Sequence, residues 1–123
     1  MFFSFRSWSL WRVVGPLLAI VLLLAGLSAG SLQVMSAVRA YVAGESLFSK
    51  GQKDAIYDLQ IYVSTGAPLY LTKFDAAIAV PLADRTARRA LEAPGNNDAV
   101  ARDGFAKAGN HDDDISGLIW LFK

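Results

Sequence analysis

Three groups of polar side chains in this 123-residue chain stand at spacings that could do chemistry. The first is Glu45, Ser49 and Gln52, with Lys50 and Lys53 beside them and Arg39 upstream. Intervals of three and four place a carboxylate, a hydroxyl and an amide on one face of a helix. A polar group kept from water needs a partner, and a neighbouring helix, a second subunit or a small polar ligand would each serve. As a packed layer, the group would fix register in a bundle, as a buried Asn does in coiled coils. The second group is Asp84-Arg85-Thr86-Ala87-Arg88-Arg89. Guanidinium groups match carboxylates and phosphates in two-pronged fashion, so Asp84, Arg85 and Arg88 are anion-binding candidates. Arg88 and Glu92, four apart, also suit an ordinary ion pair on a helix surface. The third is Asn110-His111-Asp112-Asp113-Asp114, which holds the only histidine. His111, Asp112 and Asp114 could donate to a divalent cation, but the spacing matches no metal loop, and acids at a helix start serve its dipole and cap. No metal and no cofactor are expected.

Catalysis is not expected from these residues either. The chain has no cysteine, which removes thiol nucleophiles, thiol metal sites and disulfides. No Gly-x-Ser-x-Gly elbow accompanies the lone histidine, and no glycine-rich phosphate loop occurs. The whole chain carries 12 Lys+Arg; without Arg6 and Arg12, ten remain from Arg39 onward against 11 Asp+Glu. That balance gives no basic face for nucleic acid.

The elements that must position these groups divide sharply. No charge occurs between Val13 and Val38. The 20 residues Val13–Leu32 match a hydrocarbon layer of ~30 Å at the ~1.5 Å rise of a helix. The expected organisation is a cytoplasmic N-terminus over 1–12, a transmembrane helix over 13–35 and a periplasmic helical domain over 36–123. Arg6 and Arg12 precede the apolar run, which puts the N-terminus inside by the positive-inside tendency. Phe2, Phe3, Phe5, Trp8 and Trp11 suit the headgroup level. A cleaved secretory signal is the rival, with Leu27-Ser-Ala-Gly30 as a cleavage site, but its apolar core is usually shorter, ~7 to 15 residues. Both readings export the domain.

Beyond the anchor, Ala, Leu and charged residues dominate and alternating β-branched runs are missing, so the fold class is all-α: a transmembrane helix continuous with a helical bundle, incomplete in this chain. Met35, Val38, Val42, Ile56, Leu59 and Val63 lie on a seven-residue seam along helix one. Gly66 ends that helix as a left-handed cap and Pro68 stops it. A second helix is expected over Leu69–Val80, broken or kinked at Pro81 and resuming over Leu82–Ala93. Pro94–Asn97 reads as a loop, and a third helix runs from Asp98 to Ala108, weakened by Gly104. Asn110 is placed to cap a last helix with Asp112–Asp114 in its first turn and Ile115, Leu118, Ile119 and Phe122 as its apolar stripe. Tyr41, Phe48, Tyr57, Tyr62, Tyr70 and Phe74 are expected in core and dimer contacts.

Three blocks carry a resemblance: Arg39-Ala-Tyr-Val-Ala-Gly-Glu-Ser-Leu-Phe-Ser-Lys-Gly-Gln-Lys-Asp-Ala-Ile-Tyr57, Ala79-Val-Pro-Leu-Ala-Asp-Arg-Thr-Ala-Arg88 and Gly109-Asn-His-Asp-Asp-Asp-Ile115. Together they resemble the periplasmic sensor segment at the N-terminus of bacterial transmembrane signalling proteins. The best known of these carry GGDEF or EAL output domains, diguanylate cyclases and cyclic-di-GMP phosphodiesterases; related segments precede histidine kinases. The chain departs from that pattern at Phe48, where the family tends to carry Trp. The resemblance implies an input module in the bacterial inner membrane, a homodimer that reads a small ligand or a periplasmic partner. A small anchored interaction protein, presenting a helical hairpin to another envelope protein, is the alternative.

Overall fold

The protein is described here by a computed structural model that covers the backbone of residues 4–123 and the side chains of residues 10–123. The headgroup expectation for Phe2, Phe3, Phe5 and Trp8, and the flank charge Arg6, lie outside the described side chains. Four helices and no strand make up the described residues, an all-α chain: α1 (Ser4–Thr65), α2 (Pro68–Glu92), α3 (Asp98–Lys107) and α4 (Asp112–Leu121). It divides into two compact units, residues 1–35 and 36–123.

In the first unit the only element is α1. Leu17, Val21, Leu22 and Leu24 are all more than half exposed, and the most apolar window of the helix has no buried residue. Among the described residues this is the one helix long and apolar enough to cross a membrane. A bare apolar surface of that extent calls for an apolar surrounding.

In the second unit, the rest of α1 packs with α2, α3 and α4 around Ala37, Ala40, Ala55, Ala87, Ala101, Phe105, Ile115, Leu118 and Ile119. Most of these are alanines, so the helices must approach closely to exclude water. Glycines make the approach possible. A Cβ on Gly104 of α3 would lie 2.8 Å from Ala87 Cβ and 2.9 Å from the Ala83 carbonyl of α2, and one on Gly117 of α4 would lie 3.2 Å from Ala37 Cα. Gly104 therefore does more than weaken α3; it lets α3 seat on α2.

Three local features add to or correct the expectations. The spacing left open what meets the seam Val38, Val42, Ile56, Leu59 and Val63, and in the structure all five are exposed, as is Met35 in the first unit. The buried face of α1 is instead the small-residue row Ala37, Ala40, Gly44, Gly51 and Ala55, which permits the close approach that larger side chains would block. Secondly, α2 runs unbroken through Pro81. A proline inside a helix frees the carbonyl four residues back. Here that carbonyl is Ala77, and it faces Gly51, where a Cβ would meet Ala77 O at 3.0 Å and Pro81 Cδ at 2.9 Å. The bare Gly51 thus gives room to the ring and to the freed carbonyl together, and packing offsets the lost hydrogen bond. Thirdly, Asn110 does not cap α4. His111 occupies the cap, its Nδ1 accepting from the Asp113 N–H at 3.4 Å. Asn110 is buried in the C-terminal motif of α3, where its backbone N–H and its Nδ2 both donate to the Phe105 carbonyl. Gly109, with φ +87°, donates to Ala106 and supplies the left-handed residue that motif requires.

The turn between α1 and α2 matches its expectation. Gly66 has φ +67° and donates to the Tyr62 carbonyl at 2.7 Å, and Pro68 opens α2.

Candidate functional site

Two of the three polar groups meet around one guanidinium. Arg88 of α2 donates from Nε to Asp84 Oδ2 at 2.7 Å, one turn back, and from Nη2 to Glu45 Oε1 of α1 at 2.5 Å. Its planar fork can reach two carboxylates in different directions, which a lysine could not do with fixed geometry. Aromatic rings confine it further: Cζ lies 4.9 Å from the centre of Phe122 and 6.0 Å from that of Phe48. Phe122 in turn stacks on the fully buried Phe105 and tilts against Tyr41, each at 6.1 Å between ring centres. The pair expected between Arg88 and Glu92 does not form, because Asp84 and Glu45 take the guanidinium.

Burial sets the electrostatics of this ladder. The Asp84 side chain is only 3% exposed, that of Arg88 is 27% and that of Glu45 is 37%. Loss of water pushes the Asp84 carboxyl above the usual carboxylate value; the hydrogen bond and charge of Arg88 pull against that, and the nearby Glu45 adds to the rise. Arg88 is held above the ordinary arginine value: burial works against its charge, but Glu45 and Asp84 together outweigh burial. The guanidinium therefore stays charged throughout the accessible pH range, while burial makes Asp84 hold its proton more tightly than an ordinary carboxyl does.

Beside the ladder opens a cleft of about 290 Å³ lined by Glu45, Phe48, Asp84, Arg85, Arg88, Arg89 and Glu92. Arg85 and Arg89 are exposed and make no ion pair among the described residues. The cleft thus offers free positive charge at its rim, an aromatic wall and a carboxylate–guanidinium pair at its base. Such a set can take a small anion or a zwitterion, with Arg88 as the group that must change partners to bind it.

The remaining candidates lie elsewhere. Ser49, Lys50, Gln52 and Lys53 are exposed on α1 and do not line the cleft. Arg39 bridges α1 to the start of α4 through Asp114 at 3.2 Å. His111 sits 3.4 Å from Asp113 and belongs to the cap of α4; Asp112 is exposed in the same turn. Among the described residues no three His, Cys, Asp or Glu side chains converge as a metal site would require. The sequence places Phe122 on the apolar stripe of α4 but gives no sign that its ring packs against Arg88, and it gives none for Phe105 behind it. Tyr57, expected in a contact, is 63% exposed.

In comparison with known proteins, no family model, no curated protein and no solved structure matches the chain.

Proposed function

We propose that this chain is a membrane-anchored extracytoplasmic input module of a bacterial signal-transduction protein, with its N-terminus in the cytoplasm and its helical domain in the periplasm. It feeds a cytoplasmic output that turns over cyclic-di-GMP, the output of the proteins its sequence blocks resemble. The observation that carries the reading is the Glu45–Arg88–Asp84 ladder at the base of an open cleft, because it ties α1, which also contains the apolar span, to the bundle helix α2. A ligand anion that takes Arg88 from Glu45 favours a different packing of α1 on α2. By linkage, whatever binds one packing better shifts the population toward it. Helix shifts of ~1–2 Å are the usual currency of such switches. The chain itself supplies no catalytic residue in this scheme; it works by differential binding.

The test joins the chain to its native downstream frame and measures cyclic-di-GMP synthesis and breakdown by the membrane-embedded protein, with and without Glu45→Gln. This substitution keeps the shape of the side chain and leaves Arg88 its Asp84 partner. Turnover that changes by several-fold supports the reading. A frame that ends at Lys123, or turnover indifferent to the substitution, removes it and favours the small anchored interaction protein.

A further inference from the structure

The contact between Glu45 and Arg88 restricts what can open it. A plain anion that displaces Glu45 from Arg88 Nη2 leaves the freed carboxylate beside two other negative groups, the anion and Asp84, with no counter-charge. The side chains of Glu45 and Arg88 are 37% and 27% exposed, so water replaces a lost partner only in part. A part-buried charge left unpaired is costly. A ligand that opens the pair at little cost must therefore bring an anion for Arg88 and a cation for Glu45, close together. The head group of an α-amino acid is such a ligand, because one carbon carries both its carboxylate and its ammonium.

The rim of the cleft adds a second requirement. Arg85 and Arg89 stand one turn apart on α2, both exposed and both without an ion pair among the described residues. Residues at that spacing have Cβ atoms ~5–6 Å apart, so the two guanidiniums can converge on one further carboxylate. The single unpaired acid at the rim, Glu92, leaves a surplus of one positive charge there. Between base and rim, the ring of Phe48 offers an apolar wall to the methylenes of a short side chain. A cleft of about 290 Å³ lies at the lower edge of small-ligand sites, which suits a compact metabolite rather than a nucleotide.

We propose that the cleft binds a free α-amino acid with an acidic side chain, its head-group carboxylate on Arg88, its ammonium on Glu45 and its side-chain carboxylate on Arg85 and Arg89. This deepens the reading of the cleft as the ligand site of an input module, and it rests on that reading. Arg88 keeps Asp84 through Nε and exchanges Glu45 for the ligand at Nη2. The direct link between α1 and α2 is thereby replaced by one that runs through the ligand. Every charge at the base of the cleft stays paired in both states.

The test is calorimetric titration of the full chain in nanodiscs with three probes. L-glutamate has all the required groups, glutarate is the same carbon skeleton without the amine, and L-alanine lacks the second carboxylate. The expected result is that glutamate binds about ten-fold or more tighter than either, as the absence of one charge-assisted partner requires. Glu45→Gln removes the acceptor for the ammonium and should bring glutamate and glutarate close to equal affinity. Arg85→Gln combined with Arg89→Gln, both on the exposed rim, should do the same for glutamate and alanine. Glutarate or alanine binding the wild type as well as glutamate, selectivity unchanged in the variants, or no glutamate binding at millimolar concentration overturns the assignment. The readout contains no nucleotide turnover. Absent binding in a protein whose turnover responds to Glu45→Gln removes the ligand class alone, and selective glutamate binding in a protein whose turnover ignores that substitution removes the signalling output alone.

Discussion

At the residue scale, the molecule's behaviour turns on Arg88. The guanidinium compensates a carboxylate that is almost wholly removed from water, and an uncompensated charge in that position is costly. Arg88→Ala is expected to destabilise the full chain by about 3 kcal/mol, the lower end of what breaking a buried pair costs. Adding Asp84→Asn to that variant should return most of the loss, because the amide no longer needs a counter-charge. Thermal midpoints of the three proteins in nanodiscs check this, and a double variant no better than Arg88→Ala would contradict the charge argument. The pH dependence follows from the direction in which Asp84 is shifted. Burial raises its carboxyl above the ordinary 3.8, so the folded chain holds that proton more tightly than the unfolded chain does. The resulting stabilisation is complete below the ordinary value and is lost as pH rises through the raised one. Asp84→Asn lacks this titration. Its midpoint relative to the wild type should therefore climb as pH rises from about 4, and a difference that stays flat or falls would count against the shift.

At the scale of elements, close approach governs the packing. Replacing Gly104 with Ala raises intrinsic helix propensity by ~1 kcal/mol, so a free α3 would gain from it. Packed on Ala87 and the Ala83 carbonyl, the added methyl has no room and should cost ~1–3 kcal/mol net, as overpacked cores do. Gly51→Ala is expected to lose a similar amount against Pro81. Urea midpoints decide the sign, and a stabilised Gly104→Ala would mean the helices are not in contact there. These glycines also explain what could be read from the chain alone. The four helices, the Gly66 stop and the inner stripe of α4 were legible because period and cap chemistry are local. The path of α2 through Pro81 was not, since the compensation is Gly51, thirty residues away in sequence. Nor was the buried face of α1: large apolar residues ordinarily mark the core side, and here alanines and glycines take it while the valines and leucines face out. At the site, Glu45, Asp84 and Arg88 each stood out by type and spacing. Their meeting could not be read, because it depends on how α1 and α2 align after the Gly66 turn.

At the scale of the whole molecule, an apolar span, a small-residue bundle and a charged cleft share one polypeptide whose first helix takes part in all three. The central claim is that the Glu45–Arg88 contact sets how α1 packs on α2. It can be tested without knowing the ligand, because the chain has no native cysteine and accepts a single pair of spin labels. Ser46→Cys on α1 and Thr86→Cys on α2 are both exposed and lie outside the cleft lining. The measurement is the distance between the two labels in full chain reconstituted at high lipid excess, with Glu45 intact and with Glu45→Gln. The account predicts a shift of ~1–2 Å or a clear broadening of the distribution when the charge is removed. Identical distributions would contradict it and reduce the ladder to a structural ion pair.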